Sequence, residues 1–216
     1  LKRDMKEHGH ITAGINLGTT KGMHYKTMKD LLGADRFTDV DKFSVRDYGL
    51  HSSMIQNDLD NPNRVIGEGD KFGYDYNVFV NKAHAWANYQ YSKDFYSLFF
   101  AARLGGTTIE REGLMRNGRA ANNSKGSSGT AKFLESGAKA GATFRVGGKH
   151  VFNLGLGYEE NAPLAYNAFI APRLKNDFAK GLRNEEVLTT EFSYAYNGPI
   201  FAAKVNAYYT RFSDVT

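Results

Sequence analysis

Residues 77 to 106, "NVFVNKAHAWANYQYSKDFYSLFFAARLGG", place an apolar or aromatic side chain at nearly every second position, in two runs that meet at Lys93-Asp94. In the first run Ala83, Ala85, Ala87, Tyr89 and Tyr91 share one parity, and Lys82, His84, Trp86, Asn88 and Gln90 share the other. In the second, Tyr96, Leu98, Phe100, Ala102 and Leu104 oppose Ser97, Ala101, Arg103 and Gly105, with Phe95 and Phe99 on the mixed side. Successive side chains of a strand point to opposite faces, so each run is a strand with one apolar face. Wound into a helix, the same residues would scatter around the cylinder.

The alternation recurs along the chain. Ile11, Ala13, Ile15 and Leu17 carry it in residues 10 to 19, and Leu134, Ala138, Ala140, Ala142, Phe144 and Val146 in residues 133 to 146. Phe152, Leu154, Leu156 and Tyr158 continue it, followed by Leu188, Phe192, Tyr194 and Tyr196, then Phe201, Ala203, Val205, Ala207 and Tyr209. About seven strands result, each near or above the roughly 9–11 residues of a tilted membrane-crossing strand.

The connections alternate in length. Lys93-Asp94, Gly147-Gly148-Lys149 and Asn197-Gly198-Pro199 read as tight turns. The other connections are long, roughly residues 29 to 76, 108 to 131 and 160 to 184. In an up-and-down topology every short turn then lies at one end and every long loop at the other, as in outer-membrane barrels. Tyr89, Tyr91, Tyr96, Phe144, Tyr194, Tyr196 and Phe201 gather near the tight-turn ends on the apolar face, where an interfacial aromatic girdle would sit. The other face bears Arg103, Glu135, Lys139, Arg145, Glu159, Glu191 and Lys204. Such charges are costly inside a soluble sandwich unless paired. A wet lumen accommodates them. The sequence thus predicts an all-β, antiparallel up-and-down transmembrane β-barrel. Seven strands do not close so wide a barrel, so residues 1–216 are expected to form a partial segment of a larger one.

Composition narrows the alternatives. The 216 residues contain no Cys, which excludes disulfides and thiolate metal sites. No stretch approaches the roughly 18 apolar residues of a membrane helix, a test that barrel strands escape. The opening "LKRDMKEHGH" has no apolar signal-peptide core. A net charge of +5 is spread over the lumen face and one loop, without the basic aromatic stripe of a strand-binding groove, so nucleic acid is not an expected partner. No Ser-His-Asp order, phosphate-binding loop or glycine fingerprint appears, and enzymatic activity is not expected. The histidines are scattered, and the one close pair, His8 and His10, reads as turn surface, so no metal or cofactor is expected.

The loops hold the candidate binding groups. The first loop is acidic-leaning, and its run "NDLDNPNRVIGEGD" carries oxygen donors of the kind Ca²⁺ takes. It lacks the spacing of a twelve-residue calcium loop, which favours a solvated, turn-rich connection. The second loop is basic, with Arg111, Arg116 and Arg119. Forked guanidinium groups suit carboxylates or phosphates on a solute, but pairing with neighbouring loop acids is the favoured reading. Its "NNSKGSSG" (residues 122 to 129) reads as a flexible tip. Trp86 and Arg103 on the lumen face, with Arg111, Arg116 and Arg119, are the candidate solute contacts.

The runs "NDLDNPNRVIGEGDKFGYDY" (57 to 76), "AHAWANYQYSKDFYSLFFAARLGGTTIEREGLMRNG" (83 to 118), "NAPLAYNAFIAPRLKN" (161 to 176), "GLRNEEVLTTEFSYAY" (181 to 196) and "KVNAYYTRFSD" (204 to 214) resemble the barrel domain of TonB-dependent outer-membrane receptors of the Bacteroidetes type. The resemblance implies a 22-stranded barrel in the bacterial outer membrane, with long loops extracellular and short turns periplasmic. It also implies a plug domain that, like the carboxy-terminal strands, is not seen in this chain. The implied activity is TonB-coupled import of a scarce solute, namely a siderophore, cobalamin, oligosaccharide or peptide. The implied partners are outer-membrane lipid, TonB through the plug, a surface lipoprotein, and the solute or oligomer itself. Two other classes stay open: an outer-membrane barrel independent of TonB, acting as a porin or a secretion or structural component, and a soluble β-rich glycan-binding domain.

Overall fold

The computed structural model describes residues 2–5 and 9–214; His8 of the close histidine pair lies outside them. In chain order the elements are β1 (Lys2–Met5), β2 (Gly9–Thr27), β3 (Phe37–Thr38), helix α1 (Lys42–Tyr48), β4 (Val65–Ile66), β5 (Lys71–Lys93), β6 (Tyr96–Gly113), β7 (Gly126–Val146), β8 (His150–Asn161), β9 (Glu185–Asn197) and β10 (Ala202–Ser213). Eight of the strands form one sheet in the order β1-β2-β5-β6-β7-β8-β9-β10, with every neighbouring pair antiparallel. The remaining two, β3 and β4, pair with each other inside the first long loop. The fold is all-β, and seven of its strands are long. The sheet is open, with β1 and β10 at its edges, and does not close into a barrel.

The register puts the expected residues on the expected faces. Ile15 lies opposite Ala85, Ala85 opposite Leu104, Ala140 opposite Leu156, and Leu154 opposite Phe192. These apolar side chains are uncovered: Ile15 is 73 % exposed, Leu17 79 %, Leu134 71 % and Leu156 63 %. Leaving one such side chain in water forgoes about 1.5–3 kcal/mol of burial, so a whole face of them calls for an apolar neighbour. At the tight-turn end the same face carries touching rings. Tyr91 lies 5.8 Å from Tyr96, Phe152 5.0 Å from Tyr194, and Tyr196 5.0 Å from Phe201.

The strands are longer than the alternation suggests. β5 has 23 residues and β7 has 21, so they run well into what the sequence reads as loops. The physical reason is an inversion of hydrophobic phase. On β5 the exposed apolar face is built from Tyr91 down to Ala83, and beyond it Asn81 and Asn77 take that face. Of the apolar residues there, Phe79 keeps to that face, while Val80, Val78, Tyr76 and Tyr74 point to the opposite one. On β6 the switch falls between Leu104 and Ile109, and on β7 between Leu134 and Phe133. A reading keyed to one parity loses the strand where the phase flips.

What lies against the second apolar face is the chain itself. Tyr76, Val78 and Ile109 form a buried cluster with Ala168 and Phe169 of the third loop, and Phe133, Phe178 and Leu182 pack around it. The first loop is correspondingly not the solvated connection expected. It folds into α1, the β3–β4 pair and a turn of 3-10 helix at Ser53–Ile55, around a buried polar centre at Asp39. The Asp39 carboxylate accepts hydrogen bonds from Asn57 Nδ2 (2.8 Å), Gly73 N (2.9 Å) and Arg64 Nη2 (2.9 Å). The "flexible tip" is likewise held. Ser124 is 1 % exposed, its hydroxyl accepts from Asn117 N at 2.9 Å, and Lys125 pairs with Asp60 at 2.6 Å.

Candidate solute-binding mouth

The three long loops meet over the ends of β2, β5 and β6. Leu59 N donates to Arg116 O (2.7 Å) and Gly118 N to Gln56 O (2.8 Å), joining the first loop to the second. Asn176 N donates to Asn123 O (2.8 Å), joining the third loop to the second. Between them and the strand ends lies a concave pocket of about 1170 Å³.

Aromatic rings with cations above them build its walls. His24 of β2 stacks on Tyr76 of β5 at 4.8 Å and 7°. A β-bulge between Tyr25 and Lys26 offsets β2 against β5, and Lys26 Nζ sits 4.5 Å from the Phe72 ring and 5.5 Å from that of Tyr74. Gly73 permits this, because a side chain there would collide with Lys26 and its φ of 77° suits glycine. Arg173 of the third loop lies 5.1 Å over Tyr74, and Lys42 of α1 lies 5.6 Å over Phe37. Among the described residues no carboxylate lies within ion-pair distance of Lys26, Lys42 or Arg173. The one lining carboxylate among the described residues, Asp41, caps α1 by accepting from Phe43 N (3.0 Å) and Ser44 Oγ (2.8 Å), and it lies 3.8 Å from Arg119.

Of the five residues singled out from sequence, Arg119 lines this pocket. Arg116 instead pairs with Asp60 at 3.1 Å, the loop-to-loop reading favoured above. Arg111 departs from both readings. It is buried and reaches no carboxylate among the described residues; its Nε donates to Pro172 O (2.7 Å), and its Nη1 to Ser124 O (3.0 Å) and to Asn176 Oδ1. Burial lowers its pKa to about 10. Arg111 is therefore a cross-brace behind the pocket and makes no contact with its interior through those nitrogens.

Trp86 and Arg103 sit opposite each other in the register, deeper on the polar face. Arg103 Nη2 donates to Asn161 Oδ1 (2.7 Å) and Glu160 O (3.2 Å), while its buried Nε has no partner among the described residues. Close by, the Glu135 carboxylate accepts from Thr107 Oγ1 (2.5 Å) and Ala162 N (3.0 Å) and lies 2.8 Å from His84 Nε2. This network fastens the start of the third loop to the strands. No set of three or more metal-ligating side chains occurs among the described residues. A shallower hollow of about 550 Å³, with Ala87, Ala102, Ala140 and Leu156 in its lining, belongs to the exposed apolar face.

Sequence reasoning overlooked Lys26, Phe72, Tyr74, Tyr166 and Arg173. The available signal was "FGYDY" (72 to 76), whose aromatics alternate as a strand requires but in the inverted phase. No protein-family model, no curated protein and no solved structure matches this chain.

Proposed function

We propose that the chain is part of the wall and mouth of an outer-membrane receptor, a TonB-dependent importer of a scarce solute, with its interlocked loops facing the cell exterior. The carrying observation is the exposed apolar face. On β6 it runs from Tyr96 to Gly106. At about 3.3 Å per residue and a tilt of about 40°, that run spans roughly 28 Å, close to the ~25 Å apolar band of outer-membrane barrels. The full 23 residues of β5 would span about 58 Å on the same reckoning, so half of the wall stands clear of the bilayer. That is where the phase inverts and the loops fold inward.

The apolar run is also staggered. Its far end follows one register line from Leu17 to Ala83, Gly106 and Leu134, and then resumes at Tyr158 and Leu188 on a line through Ala138. Tilted strands in a flat bilayer demand such a step. The unpaired edges of β1 and β10 suit a wall that continues into further strands of a wider barrel.

Two experiments test the reading. Cell fractionation should place the native-length protein in the outer membrane, in a form that migrates differently on gels before and after boiling. Recovery in a soluble fraction would instead support the β-rich binding domain. In cells, deleting TonB should abolish solute uptake while leaving the protein in place; uptake that persists without TonB would favour the porin reading.

A further inference from the structure

We propose that the mouth pocket takes a polyanionic solute that carries a flat ring, and that it discriminates against neutral sugars. This deepens the import reading and rests on it for the route by which the solute arrives. Three observations converge. Lys26, Lys42 and Arg173 present ammonium and guanidinium groups with no carboxylate partner among the described residues. Behind them Arg111 is a buried cation whose described hydrogen-bond acceptors are all neutral, and its guanidinium lies 4.8 Å from the centroid of Tyr76, a wall residue of the pocket.

A concave site walled by protein focuses such a field, so the pocket concentrates anions before any contact is made. The rings supply the second half of the specificity. Phe72, Tyr74 and Tyr76 follow one another along the same face of β5, with Phe37 edge-on to Phe72 at 5.5 Å and Tyr74 tilted against Tyr76 at 5.9 Å. An incoming ring would stack among them while its anionic substituents reach the cations that now lie over the aromatic faces. A neutral sugar would gain the stacking but leave the cations unanswered. An inorganic anion would gain the charge but leave the aromatic wall unfilled.

The test is calorimetric titration of the full-length protein, purified in detergent, with three probes of similar size. Benzene-1,3,5-tricarboxylate has ring and charge, benzene-1,3,5-tricarboxamide has the ring alone, and cyclohexane-1,3,5-tricarboxylate has the charge on a puckered ring. The aromatic tricarboxylate should bind, at least about tenfold more tightly than either comparison probe, and should weaken as salt rises from about 50 to 300 mM. Lys26→Met and Arg173→Met should each weaken it about tenfold. Arg116→Gln, which removes a cation engaged with Asp60 outside the pocket, should leave it unchanged.

Equal binding of the triamide would overturn the charge half of the proposal, and equal binding of the cyclohexane acid the ring half. No binding at millimolar probe, or binding unmoved in a Lys26→Met/Arg173→Met double variant that retains the parent's melting temperature, would overturn it entirely. Binding is read here on isolated protein. A protein that binds the tricarboxylate yet imports nothing in cells contradicts the transport reading and leaves the pocket assignment standing.

Discussion

Arg111 lies over Tyr76 with its guanidinium carbon 4.8 Å from the ring centroid, and from that position it holds two loops by their carbonyl groups. The Tyr76 hydroxyl is raised in pKa, first by burial and then by the neighbouring Tyr74. One cation on one strand therefore sets the distance between wall, second loop and third loop. Replacing it by Met strands the Pro172 and Ser124 carbonyls and the Asn176 amide. Arg111→Met should lower stability by about 2–4 kcal/mol and expose residues 162 to 184 to protease. Thermal melting combined with limited proteolysis checks this; an unchanged cleavage pattern would remove Arg111 from its bracing role.

Acid should unlock the loops. The Asp60 pKa is held below its ordinary value of 3.8, first by the hydrogen bond from Lys125 and further by Arg116. Asp177 of the third loop is likewise lowered, by Lys175 and then by Asn123 of the second. A carboxylate whose folded pKa is depressed contributes stability that is present above the unfolded value and lost as pH falls through the folded one. The loops should therefore resist pepsin at pH 4 to 5 and become more cleavable as the pH falls below 3.8. Asp60→Asn should abolish part of that pH dependence, and a profile identical to the parent's would refute the linkage.

Two glycines should differ sharply. A methyl group at Gly113 would overlap the Ser124 carbonyl, which is backbone and cannot swing aside. One at Gly14 would meet the Trp86 ring at 2.9 Å, a side-chain contact with no backbone atom among the nearest. Gly113→Ala should cost about 1–3 kcal/mol by displacing the second loop, and Gly14→Ala well under half of that. Melting temperatures of the two variants decide it.

The exposed apolar face should be sensitive to charge at one depth only. Leu154→Arg lies well inside the apolar run, opposite Phe192, and should destabilise the protein in a bilayer by about 2–4 kcal/mol. Thr108→Arg lies on the same face beyond the run, and should cost about 0–1 kcal/mol. Urea unfolding in lipid vesicles measures both. Equal costs would mean that the face has no depth axis.

Strand identity and turn placement were legible because half of each strand is governed by one rule, apolar side chains on a single parity. Tyr91, Ala87 and Ala83 obey it, as do Leu156 and Phe192. The rule stops at the edge of the apolar run, where Val80, Val78 and Tyr76 turn to the other face because protein covers them there. Nothing local to residues 71 to 82 announces the covering segment, which arrives from residues 165 to 182. The mouth pocket was hidden for the same reason: its cations come from β2, α1 and the third loop, far apart in sequence and brought together only by pairing. Arg111 read as a partner of loop acids, with solute contact as the alternative, because a guanidinium in a loop-like stretch suggests exposure, whereas it lies near the end of a strand and is buried.

The central claim, that one face of the sheet meets lipid, is best tested by single-cysteine scanning, since the chain has no Cys of its own. Fluorophore-labelled cysteines at successive positions from 96 to 112 of the protein in vesicles would be quenched by brominated lipids. Quenching should alternate with a period of two, strong at 98, 100, 102 and 104 and weak at 97, 101 and 103, and should vanish beyond 106. Uniformly weak quenching at 98 to 104, with those positions open to water-soluble thiol reagents, would contradict the membrane assignment outright.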